Sequence, residues 1–194
     1  MKTVDLHLHT VFSDGTETPE RVVELARDAG LSAIAMPAHA NTRASAVAQP
    51  VTQRYGIELL PGIAMSATAD GREVHVLGFL FDRMHAGLQA YLAAQKTRRV
   101  ERVKEMVRRL RRVGVQIDAE EVLSLATAGT VGRPHVARIL LKHGYIASMD
   151  EAFSTYLGPD NPGFVPGSQT SPHEILRIIR EAGGIPVLAH PVYL

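Results

Sequence analysis

The chain has 194 residues, 45% apolar and 21% charged. That balance fits one large folded domain or two small ones and excludes the disordered and collagen-like classes. No apolar run reaches the roughly 18 residues of a membrane span, and no signal-peptide core opens the chain, so the expected compartment is the cytoplasm, with no membrane partner. The formal charge is only +1 and cysteine is absent, which rules out disulfides and thiolate metal sites; a transition metal would have to be held by imidazole or carboxylate. The nine histidines thereby become informative.

Residues 2–8 alternate, predicting a strand with Val4, Leu6 and Leu8 on one face and Asp5, His7 and then His9 on the other. Beyond Ser13, Asp14 and Gly15, Thr18 followed by Pro19 and Glu20 reads as cap, first helical position and first-turn acid of a helix that stops near Gly30. The apolar run 31–37 suits a buried strand and delivers His39 just past its end. A helix over 43–55 follows, then apolar residues 57–63 interrupted by Pro61 and Gly62, then a strand over 73–81 that contains His75. Short connections between strands and helices predict parallel α/β architecture.

The middle reads differently. Helices are expected from about Met84 to Val113, over 118–126, over 133–143 and over 150–157, closed by a Pro- and Gly-containing loop over 158–170. We take this as one domain, 1–194, with a mostly helical insertion at about 84–166. Within 96–112 nine basic residues face only Glu101 and Glu105; the rest of the chain holds 12 basic against 18 acidic. Val100, Val103, Val107 and Leu110 give that helix an apolar stripe, so a solvated basic face is its ordinary outcome. Contact with RNA phosphates is the functional alternative. His85, His143 and His173 read as surface residues.

The last elements repeat the first. Residues 171–183 (SPHEILRIIREAG) match 18–30 (TPERVVELARDAG) in cap, proline, apolar spacing and terminal glycine, and each segment feeds an apolar strand that leads to a histidine, His39 or His190. Two similar units would each place an imidazole at a carboxyl sheet edge, where α/β folds put their active sites. His7 and His9, two apart on a strand, emerge on one side within reach of one ion. A lone HxH is weak, but His39, His75, His190 and Asp14 join it by topology.

These motifs resemble those of the PHP (polymerase and histidinol phosphatase) domain of metal-dependent phosphoesterases. The match lies in VDLHLHTVFSDGTETPERVVELARDAGLSAIAM at the start, His39, IELLPGI with EVHVLGFLFD, GRPHVARILL, and GGIPVLAHP near the end. It is nearest to the bacterial subgroup acting on nucleotides or short RNA. The resemblance implies a distorted β/α barrel, seven-stranded in the family, holding up to three divalent ions (Mn, Zn, Fe or Mg). The implied metal ligands are His7, His9, Asp14, His39, His75 and His190. It also implies hydrolysis of phosphate esters of nucleotides or short nucleic acids by metal-activated water. Arg133 and His135, opening a helix, are candidates for substrate phosphate.

The departures fall on acids. Ala38, Ala40 and Ala64 stand where the family carries carboxylates, and no Asp-x-His pair follows the His-Pro motif before Leu194. The resemblance therefore implies an incomplete barrel with fewer ions. The competing reading is a degenerate PHP-like module that binds phosphorylated ligands without catalysis.

Overall fold

The structure, a computed structural model, describes residues 2–39, 43–126, 129–167 and 169–193; Ala40 lies outside them. The chain divides into two compact units, one made of Met1–Gln95 with Gly167–Leu194 and the other of Lys96–Pro166.

Among the described residues the first unit holds seven strands in two sheets. β1 (Thr3–Asp5), β2 (Leu31–Ala35) and β4 (Glu58–Leu60) form a parallel sheet in the order β1-β2-β4, whereas β3 (Ala38–His39), β5 (Gly62–Ala69), β6 (Arg72–Phe79) and β7 (Ile185–Leu188) form a mixed one in the order β3-β5-β6-β7. No closed barrel is present among the described residues. α1 (Pro19–Asp28) begins where Thr18 Oγ1 accepts the Arg21 N–H at 3.2 Å, and it buries Val22, Val23 and Ala26. α2 spans Arg43–Tyr55, the range expected from the sequence.

Two expectations need correction. The sheets are not all parallel, because β5 and β6 pair antiparallel from Gly62↔Phe79 to Ala69↔Arg72. Asp70 and Gly71, at φ 48° and 78°, make a two-residue turn with both central residues left-handed, the geometry that suits a tight hairpin. The opening strand is also shorter than its alternation suggests. The Asp5 side chain takes the His7 N–H at 3.0 Å, a local bond that competes with the ladder, although the Leu8 N–H still reaches the Ala35 carbonyl at 3.2 Å. Val4 is half exposed on this edge strand.

One face of the second sheet (Ile63, Met65, Ala67, Val74 and Val76) packs on Ile175, Ile178 and Ile179 of α7 (Pro172–Glu181) and on Leu88 and Leu92. The opposite face is floored by Ala35, Ala64, Leu77, Phe79 and Ala189. At roughly 25 cal/mol per Å² of apolar surface removed from water, such layers hold the sheet rigid beneath the histidines it carries.

Leu88 and Leu92 lie on α3 (Ala86–Arg112), which continues into the second unit. That unit adds α4 (Ala119–Ser124), α5 (Arg133–Lys142) and α6 (Met149–Glu151). Its core includes Val103, Val107 and Leu110 of the expected stripe, joined by Met106, Ile139 and Leu140. The segment expected as a helix over 150–157 passes into a π-helical turn, Ala152–Leu157. The Asn161 amide donates to the carbonyls of Phe153 and Ser154 at 3.0 and 2.9 Å, and the Gly158 N–H reaches Phe153 at 2.8 Å, drawing the last turn open. Among the described residues no helix is long and apolar enough to cross a membrane.

Candidate metal centre

Five imidazoles from four stretches of the first unit form a closed ring. Ring centroids lie 5.0 Å apart for His7 and His9, 5.6 Å for His9 and His39, 5.1 Å for His39 and His75, 5.2 Å for His75 and His190, and 5.9 Å for His190 and His7. The segment after β1 supplies His7 and His9, β3 supplies His39, β6 supplies His75, and the turn after β7 supplies His190. His190 sits at φ 31°, a left-handed conformation that a non-glycine residue adopts only when its surroundings hold it. Its ring stacks on His7 with an interplanar angle of 16°.

Asp14 joins the ring through a loop that folds back on itself. The Gly15 N–H donates to the Thr10 carbonyl at 3.1 Å, and a Cβ at Gly15 would lie 2.7 Å from the backbone of His9, so only glycine permits this return. The return sets Asp14 Oδ1 2.9 Å from His9 Nδ1, with Oδ2 3.9 Å from His39 Nε2. Ser13 steadies both sides: its hydroxyl donates to Asp14 Oδ1 at 3.1 Å and accepts the His39 N–H at 3.4 Å. Sequence reasoning passed over Ser13. Its hydroxyl is also 3.1 Å from His9 Nδ1, the nitrogen that faces Asp14. A relay triad needs the two opposite ring nitrogens, so Ser13 does not have the geometry of a nucleophile.

Burial first, then the neighbouring charges of His9, His190 and His75, lower the His7 pKa, which Asp5 only partly offsets. A neutral imidazole is the form that ligates a metal. For Asp14 burial pushes the carboxyl upward, yet the His9 hydrogen bond, the charges of His39 and His9, and the Ser13 hydroxyl together hold it well below the usual carboxylate range. One donor atom each from His9, Asp14 and His39 lies within 4.8 Å of the others. That is close enough for small side-chain shifts to bring all three to about 2.0–2.2 Å from one cation. The donor set, imidazole with carboxylate, suits a borderline divalent ion. These residues fit a metal.

A further acid stands beside the ring. Glu73 Oε1 is 3.1 Å from His75 Nε2. Its spacing of two from His75 within a strand was the signal for it in the sequence. Ala64 is fully buried in the apolar floor, and Ala38 is buried against the pairing strand β5.

Arg133 and His135 belong to the second unit, at the start of α5. The His135 imidazole is buried, and its Nδ1 accepts the Gly132 N–H at 3.3 Å. It thus caps its own helix. Of the basic run, Arg102, Arg109 and Arg111 donate to the carbonyls of Val165, Phe164 and Ile117, while Lys104 and Arg108 pair with Glu101 and Glu105.

Residues 5–157 match the model of the PHP domain. The chain is 34% identical over 189 residues to a 5'-3' exoribonuclease Rnm of Salmonella typhimurium, covering 96% of this chain and 64% of that protein. It is 31% identical to a 3',5'-nucleoside bisphosphate phosphatase of Chromobacterium violaceum, covering 98% of this chain and 67% of that one. It thus spans slightly under two thirds of the exoribonuclease's length. Among solved structures, one from Bifidobacterium adolescentis described as a metal-dependent phosphoesterase superposes with a TM-score of 0.91 at 33% identity, covering 97% of this chain and 67% of its own.

Proposed function

The chain belongs to the PHP domain family, and on that premise we propose that it acts as a metal-dependent phosphoesterase on nucleotides or short nucleic acids. In this reading His7, His9, Asp14, His39, His75 and His190 hold divalent ions, among Mn, Zn, Fe and Mg. The observation that carries the reading is the ring of five imidazoles with Asp14 beside His9 and His39, drawn from stretches far apart in sequence. Divalent ions at such a site lower the pKa of water and neutralise charge building on phosphoryl oxygens. The protein's own contribution is placement. Asp14 stays ionised, Ser13 fixes its direction, burial favours the neutral form of His7, and the packed sheet beneath keeps the donors from spreading.

The relatives named for RNA and for nucleoside bisphosphates support a nucleotide or short oligonucleotide as substrate. We assign phosphate contact to Arg133 and to the exposed members Lys96, Arg98 and Arg112 of the basic run 96–112. His135 would support that contact by capping the helix start. The test is release of phosphate or nucleotide from a panel of nucleoside bisphosphates and short RNAs by protein loaded with Mn²⁺ or Zn²⁺. No release from any substrate by metal-replete protein overturns the proposal.

One observation favours the binding-only alternative: Ala64 lies beside His39 in the parallel pair and is surrounded by Ala35, Leu77 and Phe79. With no carboxylate there, closely spaced cations would repel one another with less compensation. Tight binding of a nucleoside bisphosphate without turnover by the metal-loaded chain would select this reading.

A further inference from the structure

Glu73 and His75 lie two apart on β6, so both side chains leave the face that also carries Leu77 and Phe79. Their contact, His75 Nε2 to Glu73 Oε1 at 3.1 Å, is mostly shielded from water, with side-chain exposures of 24% and 21%. An ionised carboxylate only accepts. With Glu73 ionised, a hydrogen bond at this contact requires the proton on Nε2 and, in the neutral ring, leaves Nδ1 as the nitrogen with a lone pair. His39 and His190 flank that ring at 5.1 and 5.2 Å. Across the centre, Asp14 meets His9 Nδ1 at 2.9 Å, so each side has one carboxylate against one imidazole. Within β3, β5, β6 and β7, Glu73 is the sole acid.

We propose that Glu73 is a positioning residue of the metal centre: it holds His75 in the Nε2–H tautomer, offers Nδ1 to a divalent ion, and brings to the second sheet the negative charge that Ala64 does not. This rests on the metal-centre reading above. Carboxylates hydrogen-bonded to ligating histidines raise the basicity of the ring and fix its orientation, and their loss typically weakens metal binding by about 10–100-fold.

The experiment is histidine-selective ¹⁵N NMR on the metal-free chain, paired with zinc titration calorimetry, for wild type, Glu73→Leu and Glu73→Gln. His75 should be the Nε2–H tautomer in wild type and a mixture in Glu73→Leu, with zinc affinity about 10–100-fold lower in that variant. Glu73→Gln retains an acceptor oxygen, so it should keep the tautomer with a smaller affinity loss. An Nδ1–H tautomer in wild type, or wild-type zinc affinity in Glu73→Leu, overturns the proposal. Should Glu73→Leu fail to fold, undiminished zinc affinity in the near-isosteric Glu73→Gln does the same. A wild-type chain that takes up no zinc refutes the metal reading itself, which the tautomer result separates from a failure of Glu73.

Discussion

The two similar helix–strand segments, α1 with β2 and α7 with β7, begin alike and end differently. Thr18 and Ser171 cap their helices with hydroxyls 3.2 Å from the N–H groups of Arg21 and Glu174, each cap is followed by proline, and each strand leads to a histidine of the ring. Yet β2 lies between β1 and β4 with Ala33, Ile34 and Ala35 buried, whereas β7 is the edge of its sheet. Ile185, Val187 and Leu188 are 55%, 42% and 47% exposed. The capping device is local and repeats faithfully. Burial is decided by neighbours that the segment itself does not encode.

The largest effect should come from the feature the two segments share. His39→Ala and His190→Ala should each weaken zinc binding by more than the about 100-fold upper figure for outer-shell partners, measured by calorimetry. Equal losses would show that both segments serve one centre. A variant that binds zinc as wild type removes its segment from that centre. Next comes the feature that separates them. Ile34→Ala, at full burial, should lower unfolding free energy by about 2–5 kcal/mol in denaturant titration. Ile185→Ala, on the exposed edge, should stay within about 0.5 kcal/mol. Similar costs at both positions would mean that β7 is covered in solution.

The same division between local and distant causes separates what was legible in the sequence from what was not. Caps, prolines and apolar spacing placed α1, α2 and α7, because those signals act within a few residues. The histidines could be read as a group because strand ends in α/β folds converge. The β5–β6 hairpin was missed although Asp70-Gly71 marks its turn. Gly62–Ala69 carries small residues, is buried through most of its length, and so shows no alternation. The split of 31–39 into β2 and β3 arises from pairing with β4 and β5, which the segment does not announce. Glu73 carried a local signal, its spacing of two from His75 in an expected strand, but its bearing on the centre emerged only once distant strands set His39 and His190 beside that ring. Ser13 could be recognised only once the loop closed over Gly15.

Acidification should sharpen the role of His190 as the second segment's contribution. His7 has a lowered pKa in the fold, so below about pH 6.5 the unfolded chain takes up a proton that the folded chain resists. Stability of the metal-free protein should be full above that pH and fall as pH drops through the folded value. Asp14 acts further down: its stabilisation is present above about pH 3.8 and is lost as pH falls towards its own lower value. Because the charge of His190 is one cause of the lowering, His190→Gln should raise the His7 pKa modestly, with burial still holding it below 6.5. NMR titration of His7 reads this directly, and no upward movement would count against the two rings interacting.

Effects well below that of Ile34→Ala test whether the two caps are equivalent. Thr18→Ala and Ser171→Ala each remove a hydroxyl that accepts one helix N–H at 3.2 Å, and each should cost about 1 kcal/mol. Both helices keep a proline at their start and an acid in the first turn, Glu20 or Glu174, so the remaining N-terminal stabilisation is alike. Ser171 also has Glu174 three residues on, the spacing of a reciprocal capping box. If that acid returns a bond to the cap backbone, Ser171→Ala would be the costlier of the pair. Equal losses would mean that capping is purely local in both segments and that everything distinguishing β2 from β7 is contributed by the strands beside them.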